Sequence, residues 1–596
     1  MAKNILSLDA DEVMDFFMKS EQYHGFELPE YFVFDEVLAH VAEKVSDKSY
    51  EDCLQKGKNP EAMSDVNLDI LLNKDGRYAV RPIVLANPYL YYFLVREVCS
   101  KENWPTIKKL FSKFAVPHIS SCAIPVIPKE KESFHKSTTI LNWWNAMEQR
   151  SIELSLEYRY MFVTDITNCY GSVNPQTFDW AFMLKNTSFE TKKASSIAKN
   201  IQKYLRAFQQ GRNIGIPQGS AIFDFVGEIV LGYSDLLLHE ALQAKAKEYK
   251  TEGREFPDYE IIRYRDDYRV FCNNRDTLEE ISYVLQQVLE RLNFRMNSQK
   301  TKISDSIVTD AVKTDKLAYI YNTPIFNKKG VDFDSFEKHL LYILMFARNY
   351  RDSGSVKTML SDIDKRIKDY LEPNESESDG RAEPLADVIR SLGSDVLKEA
   401  KLSASTDDEL RSIEQAMSIL ELENGGEASP TKDSVFSKPK VYDKRKMRHL
   451  PGGSVRAMSA ICVQIALENV NCSHYALRVL SRMVESLDDE DEKWDIRDKV
   501  YEKICNQPNS EYGQLWLQNI TYQRDQKNGT SPYTMRLCQL VAGKAVAPLW
   551  NNDWLKAELT TNLPYGSVVN GETLKKVTPV ITFRETRMYN EIGYAK

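Results

Sequence analysis

Ile261-Ile-Arg-Tyr264-Arg265-Asp266-Asp267-Tyr268-Arg-Val-Phe-Cys272 decides the reading of this chain. Two short runs rich in Ile, Tyr, Val and Phe flank Arg265-Asp266-Asp267, which predicts a β-hairpin with two adjacent carboxylates at its turn. Like charges that close repel, so such a turn favours a bound cation. A bare Asp-Asp pair is usually a solvated turn, and the reading therefore depends on what else the chain brings to the same place.

Upstream, Tyr160-Met-Phe-Val-Thr164 is another short apolar, β-favouring run, and it ends on Asp165. If the three runs are neighbours in one sheet, Asp165, Asp266 and Asp267 converge, and the backbone carbonyl of Ile166 adds a further oxygen. An oxygen-only cluster of this kind suits Mg²⁺, which takes a few carboxylates together with phosphate oxygens. Two such ions about 3.5–4 Å apart activate a hydroxyl nucleophile and stabilise a leaving pyrophosphate, which is the chemistry of nucleotidyl transfer. Mn²⁺ is the expected substitute.

Between these segments lies Gly215-Ile-Pro-Gln218-Gly219-Ser220, a glycine-bounded loop leading into a helix. Its backbone can approach a nucleotide or template base closely, because glycine lacks Cβ. Tyr170, five residues beyond Asp165, is placed to set a ring beside a nucleotide sugar. There it would clash with a 2′-hydroxyl and favour deoxynucleotides.

In this order the segments resemble the palm motifs of reverse transcriptases: an aspartate followed by a sugar-gate aromatic, a Pro-Gln-Gly loop, and a Tyr-x-Asp-Asp hairpin. Leu292-Asn-Phe-Arg-Met-Asn-Ser-Gln-Lys300-Thr-Lys302 resembles the following motif. Its lysine, Lys300 or failing that Lys302, would protonate the departing pyrophosphate. Arg77-Tyr-Ala-Val-Arg81-Pro resembles the fingers region. Arg77, Arg81, Lys129 or Lys131 would hold the triphosphate, and charge alone does not choose among them. The resemblance covers roughly residues 70 to 320.

The family implies an α+β, right-hand polymerase fold. Residues 1–335 would form the core: fingers over about 1–160, a palm with an antiparallel sheet over about 160–300, and a thumb-like part to about 335. From about Phe336 long amphipathic helix patterns dominate, as in His339–Ala347 and Ala457–Met483. Residues 336–596 are therefore expected to form an α-helical domain, solenoid-like in its stacking, with polar linkers near 373–384 and 425–454.

A polymerase core with a long helical extension is similar to the bacterial defence-associated reverse transcriptases, including the abortive-infection group. Ile140-Leu-Asn-Trp-Trp144, Met147–Glu153 and Thr164–Ser172 carry that similarity. It implies protection against phage through DNA synthesis in the bacterial cytoplasm. Substrates would be dNTPs and partners a DNA product and a non-coding RNA. A partner protein, a second reverse transcriptase, or further copies of the chain are also implied. Some relatives start from a protein hydroxyl, and Tyr512, Tyr522, Tyr533, Tyr565 and Tyr589 are examples among which sequence does not choose. Arg265 departs from the pattern, because retroviral-type enzymes carry a small or flexible apolar residue there. Its guanidinium would grip phosphate, pair with an active-site carboxylate, or obstruct an ordinary duplex. Short, repetitive or untemplated products are expected. The alternatives are RNA-templated copying of a partner RNA, an RNA-dependent RNA polymerase, and a non-catalytic RNA-binding scaffold.

Composition is compatible with all of this. The chain has 596 residues, 42% hydrophobic and 28% charged, which is ordinary globular composition. A mean hydropathy of −0.45 and no long apolar run argue against a membrane span. Nine cysteines without a Cys-x-x-Cys pair argue for reduced thiols, and the N-terminus has no apolar signal region. The net charge of −8 excludes a protein basic all over, but not a local basic channel. Lys432–His449 is the most basic stretch, read as a mobile loop or an arm for nucleic acid. Asp488–Glu492 reads as a helix N-terminus, and Trp143-Trp144 as core before base-stacking surface.

Overall fold

The computed structural model describes residues 4–74, 76–127, 144–184, 191–322, 334–351, 353–372, 450, 452–529, 531–543, 548–561, 563–582 and 586. Lys129, Lys131, Trp143, the basic stretch 432–449 and Tyr589 lie outside them, as does most of both expected linkers.

The chain opens with helices α1 (Ala10–Phe17) and α2 (Asp35–Val45). Asp9 starts α1 through a reciprocal capping box with Glu12, which satisfies two of the free N–H groups at the helix entrance. A two-stranded antiparallel ribbon follows, β1 (Leu68–Lys74) against β2 (Gly76–Leu85). β2 runs through the Arg77–Arg81 segment, and β1 is its partner, which the sequence reading did not identify.

Two helices follow, α3 (Pro88–Cys99) and α4 (Trp104–Phe114). Ser100 is extended and ends α3. Pro105 then sits in the first turn of α4, where its missing N–H costs nothing.

The central sheet has the order β3-β5-β6-β4-β7: β3 (Ile119–Ser121), β4 (Tyr160–Asp165), β5 (Tyr259–Tyr264), β6 (Asp267–Cys272) and β7 (Lys302–Ser304). All pairs are antiparallel except β3 with β5. Adjacent residues point to opposite faces. Phe162, Ile261 and Val270 join the main core, while Met161, Ile262 and Phe271 join a smaller cluster with Met147 and Leu154. Both faces are covered, which is why these strands read as continuous apolar runs instead of alternating ones.

Helices α5 (Thr191–Phe208), α6 (Ala221–Thr251) and α7 (Arg275–Arg291) accompany the sheet, α7 starting at an Asn274 cap. The 31-residue α6 follows directly on the Gly215–Ser220 loop.

The later chain contributes α8 (Asp334–Asn349), α9 (Gly354–Leu371), α10 (Gly452–Glu468), α11 (Ser473–Glu485), α12 (Glu490–Cys505) and α13 (Glu511–Asn528). Asp489 caps α12 by accepting from the N–H groups of Asp491 and Glu492, so the acidic run does open a helix. These helices share one buried core with the N-terminal region. The Trp550 indole donates to the Leu85 carbonyl, the Tyr31 hydroxyl to Asn519, and the Tyr89 hydroxyl to the Leu559 carbonyl.

Candidate active site

The hairpin turn is Arg265-Asp266, between Tyr264 at the end of β5 and Asp267 at the start of β6. Antiparallel pairing places Asp165, the last residue of β4, directly opposite Asp267. The Ile166 N–H donates to the Asp266 carbonyl at 3.1 Å. Asp165 and the adjacent pair Asp266-Asp267, distant from it in sequence, therefore stand at one end of one sheet.

The strand end is fastened from the other side. Asn297 N–H donates to the Asp165 carbonyl, and Thr167 N–H donates to the Arg295 carbonyl. This bridge uses neither the N–H nor the carbonyl of Ile166. The loop that makes it also carries Lys300, whose Nζ lies 2.8 Å from Asp165 Oδ2. Lys302 is paired with Asp310 instead, so Lys300 is the lysine at the carboxylates.

Burial raises the Asp266 carboxyl to about 6, and the charges of Asp267 and Asp165 push the same way. Asp267 is also raised, first by burial and then by Asp165, with Lys313, Arg269 and Lys300 opposing. Asp165 Oδ1 is buried and has no hydrogen-bond partner among the described residues. Repelling acids and an orphaned carboxylate oxygen fit an all-oxygen site for a hard divalent ion. Among the described residues no three His, Cys, Asp or Glu side chains close into a ready-made cage.

Tyr170 lies in a single helical turn, Cys169–Ser172, entered through a left-handed Asn168. It is 9% exposed. The ring rests on Gly227 of α6, where an added Cβ would lie 2.8 Å from Tyr170 Cε1. Its hydroxyl faces Asp224 without closing to a full hydrogen bond.

The glycine-bounded loop is wedged between this turn and β2. Gly215 N–H donates to the Val173 carbonyl and Ile216 N–H to the Tyr170 carbonyl. On the other side Val84 N–H donates to the Gln218 carbonyl at 2.7 Å. Gly219 has φ +132, and a Cβ there would lie 2.6 Å from the Val84 carbonyl oxygen, so only glycine fits. Arg81 is three residues back on the same strand, half-buried, opposite Leu72. Arg77 is on β2 as well, but its side chain is not among those described.

Arg265 is pinned sideways. Its Nη2 lies 2.7 Å from Asp224 Oδ2 in the first turn of α6, and its guanidinium is 5.4 Å from the Tyr264 ring centre. Of the three expected uses, carboxylate pairing is the one observed, with Asp224 instead of an aspartate of the strand ends.

The sequence reading missed what lies beneath. Arg263 is fully buried and pairs with both Asp235 and Glu228 of α6, while its Nη1 also donates to the Arg265 carbonyl. The Tyr268 hydroxyl reaches Asp235, and Ser121 donates to Glu228. The signal was available: Asp224, Glu228 and Asp235 recur on one face of the apolar first half of α6. Lys313 and Arg269, which oppose the charge at Asp267, were also missed.

Among the tyrosines considered as primers, Tyr512 and Tyr533 are buried, bonded to the Glu27 carbonyl and to Thr521. The Tyr565 hydroxyl accepts from Asn552, and Tyr522 is partly buried.

Residues 104–325 match the family described as Reverse transcriptase (RNA-dependent DNA polymerase). A reverse transcriptase domain is thus present, and its class is that of an RNA-directed DNA polymerase, a nucleotidyltransferase. Domains of this family bind nucleotides and nucleic acid and generally use divalent metal ions. Telomerase from Candida albicans, in complex with a fragment of telomeric RNA, overlaps with a TM-score of 0.24 at 10% identity. That overlap covers 78% of this chain and 68% of the telomerase chain. Apo telomerase from Candida tropicalis gives 0.24 at 13% identity, covering 75% and 69%. Overlap that loose says nothing of template or partner. No curated protein matches the chain. No helix among the described residues is long and apolar enough to cross a membrane.

Proposed function

We propose that this chain is a DNA polymerase of antiviral defence that joins deoxynucleotides into restricted products: short, repetitive, or started without a nucleic-acid template. The observation that carries the polymerase reading is the register of Asp165 against Asp267, beside a turn that adds Asp266. Asp165, Asp266, Asp267 and the Ile166 carbonyl would hold two Mg²⁺ ions, or Mn²⁺ in their place. Such ions, when bound, lower the pKa of an attacking hydroxyl and balance charge on the pyrophosphate.

The chain's own residues supply the rest. Lys300 stands at Asp165 and is the group to pass a proton to the departing pyrophosphate. Tyr170 is the sugar-side wall that disfavours a 2′-hydroxyl. Gln218 and Gly219 present backbone to the nucleotide or template base. Arg81, with Arg77 or Lys129, is assigned to the triphosphate on charge alone.

We assign residues 1–335 to the polymerase core and 336–596 to a helical, solenoid-like part that restricts the cleft and supports assembly with further copies or a partner protein. The defence role in a bacterial cytoplasm rests on the sequence resemblance of residues 124–173 and on the helical extension. The restricted product rests on Arg265, a charged residue at the hairpin turn. One observation favours a second reading, copying of a partner non-coding RNA: the matched family is described as RNA-dependent.

Sequencing the nucleic acid that copurifies with the full chain, and the DNA made from single dNTPs, tests the proposal. Homopolymeric or repetitive DNA supports it. Long heteropolymeric cDNA on any primed RNA contradicts it, and cDNA confined to one copurifying RNA supports the second reading.

A further inference from the structure

Arg265 occupies a position that suits it poorly. Its φ of +53° is in the left-handed region, at a two-residue hairpin turn where glycine, asparagine or aspartate is the usual occupant. A residue held in that region persists when its surroundings over-determine it, and such strain concentrates where a side chain has work to do.

The surroundings here are specific. The Arg265 carbonyl is held by Arg263, and its guanidinium lies by the Tyr264 ring and is bonded to Asp224. The Arg265 and Asp224 side chains are 29% and 26% exposed. Arg265 Nε is buried and makes no hydrogen bond among the described residues. The other acids of α6 that face this hairpin, Glu228 and Asp235, are already engaged by Arg263. Asp224 is thus the carboxylate left for Arg265. Beside the guanidinium stand the neutral Tyr264 and Tyr170 and one further carboxylate, Asp266.

Removing the Asp224 charge would leave a largely buried cation beside one other anion, Asp266. An unpaired buried charge is costly, so the side chain would turn to that neighbour. We infer that Asp224 is a positioning residue of the polymerase site: it draws Arg265 to the first turn of α6, holds the guanidinium off Asp266, and so leaves the adjacent aspartates free for divalent cations. The inference rests on the reading of Asp165, Asp266 and Asp267 as the cation-holding carboxylates.

The test uses the full chain as wild type, Asp224→Asn, Asp224→Glu, Arg265→Gln and the Asp224→Asn/Arg265→Gln double variant, each checked for folding by its melting curve. Mn²⁺ binding is followed by loss of the free-ion paramagnetic resonance signal. Mg²⁺ dependence of single-dNTP incorporation is measured alongside. Asp224→Asn is expected to weaken Mn²⁺ binding roughly tenfold and to raise the half-maximal Mg²⁺ by a similar factor, the size of coupling typical of contacting charges. The double variant recovers to within about threefold of wild type, since no guanidinium remains to compete. Asp224→Glu, which keeps the charge, stays near wild type.

Binding in Asp224→Asn equal to wild type overturns the inference, as does a double variant no better than Asp224→Asn. If Asp224→Asn does not fold, Asp224→Glu and the double variant decide, because loss of Mn²⁺ binding in either contradicts the scheme. A wild type whose Mn²⁺ binding survives Asp266→Ala would instead remove the carboxylate reading itself.

Discussion

Tyr170 and Gly227 show how closely single residues define this site. The ring that faces a nucleotide sugar in our reading is seated on a glycine of α6, with no room for a methyl group. Tyr170→Val should admit ribonucleotides, raising the rNTP-to-dNTP incorporation ratio by roughly ten- to a hundredfold, the range of a single steric contact. Gly227→Ala should act in the same direction by displacing the ring, although it removes nothing from the ring itself. Competition between a dNTP and its rNTP checks both, and an unchanged ratio in both variants would take the sugar role from Tyr170. Deeper in, Arg263 balances two buried acids. Arg263→Met leaves them unpaired and should cost about 3–5 kcal/mol in chemical denaturation. A loss below 1 kcal/mol would show that the pair is not needed to hold the turn. The convergence of Asp165, Asp266 and Asp267 was legible from sequence because each stands at the end of a short apolar, β-favouring run. The ion pair of Asp224 with Arg265 was not: the spacing of Asp224, Glu228 and Asp235 marks an acidic helix face, but not the partner that this face meets 41 residues away.

At the scale of elements, two attachments organise the molecule. The first is the Gly215–Ser220 loop, bonded to Val84 on one side and to Tyr170 and Val173 on the other. It ties the β1–β2 ribbon to the carboxylate sheet, and its sequence signal was plain because glycine is needed where backbones meet. The second is Glu27, which joins the N-terminal segment to α9 and α11. Its carboxylate lies 2.9 Å from Lys357 Nζ and 2.7 Å from His474 Nε2. Burial alone would raise the Glu27 carboxyl, but Lys357 and the His474 ring hold it far below its ordinary value of 4.5. Burial disfavours a charge on His474 itself, which leaves Lys357 as the permanent cation. A depressed carboxyl stabilises the fold fully above its unfolded pKa, and that contribution is lost as pH falls through the folded one. Acid should therefore erode stability progressively below about pH 4.5. Glu27→Gln should cost about 3 kcal/mol at pH 7 and flatten that acid limb. Melting temperatures between pH 3 and 7 check this, and parallel curves for the two proteins would contradict it. Glu27 carries no sequence signature, since its partners are more than 300 residues away.

For the whole molecule, one core runs from Ile5 to Ile581. Asn87 and Asn552 hydrogen-bond each other in its interior, and Trp550 packs against Phe34. Helical periodicity revealed the later helices, including α8 and α10, but not that residues after α13 return to cover the N-terminal region. Pattern reports local structure, whereas those contacts join residues 465 positions apart. A chain ending at residue 335 loses Trp550, Trp554 and Leu559 from this core and should not fold as a soluble monomer. A cooperative melting transition from that fragment would show that the N-terminal part is self-sufficient.

In our reading Asp165, Asp266 and Asp267 form one cation-dependent centre for joining deoxynucleotides. The most direct measurement is Mg²⁺-dependent incorporation of labelled dNTPs by the full chain and by Asp266→Ala. Incorporation by the wild type should be abolished by EDTA and should fall at least about a thousandfold in Asp266→Ala, as expected when an essential catalytic group is removed. Undiminished incorporation by Asp266→Ala, with melting behaviour unchanged, would contradict that reading.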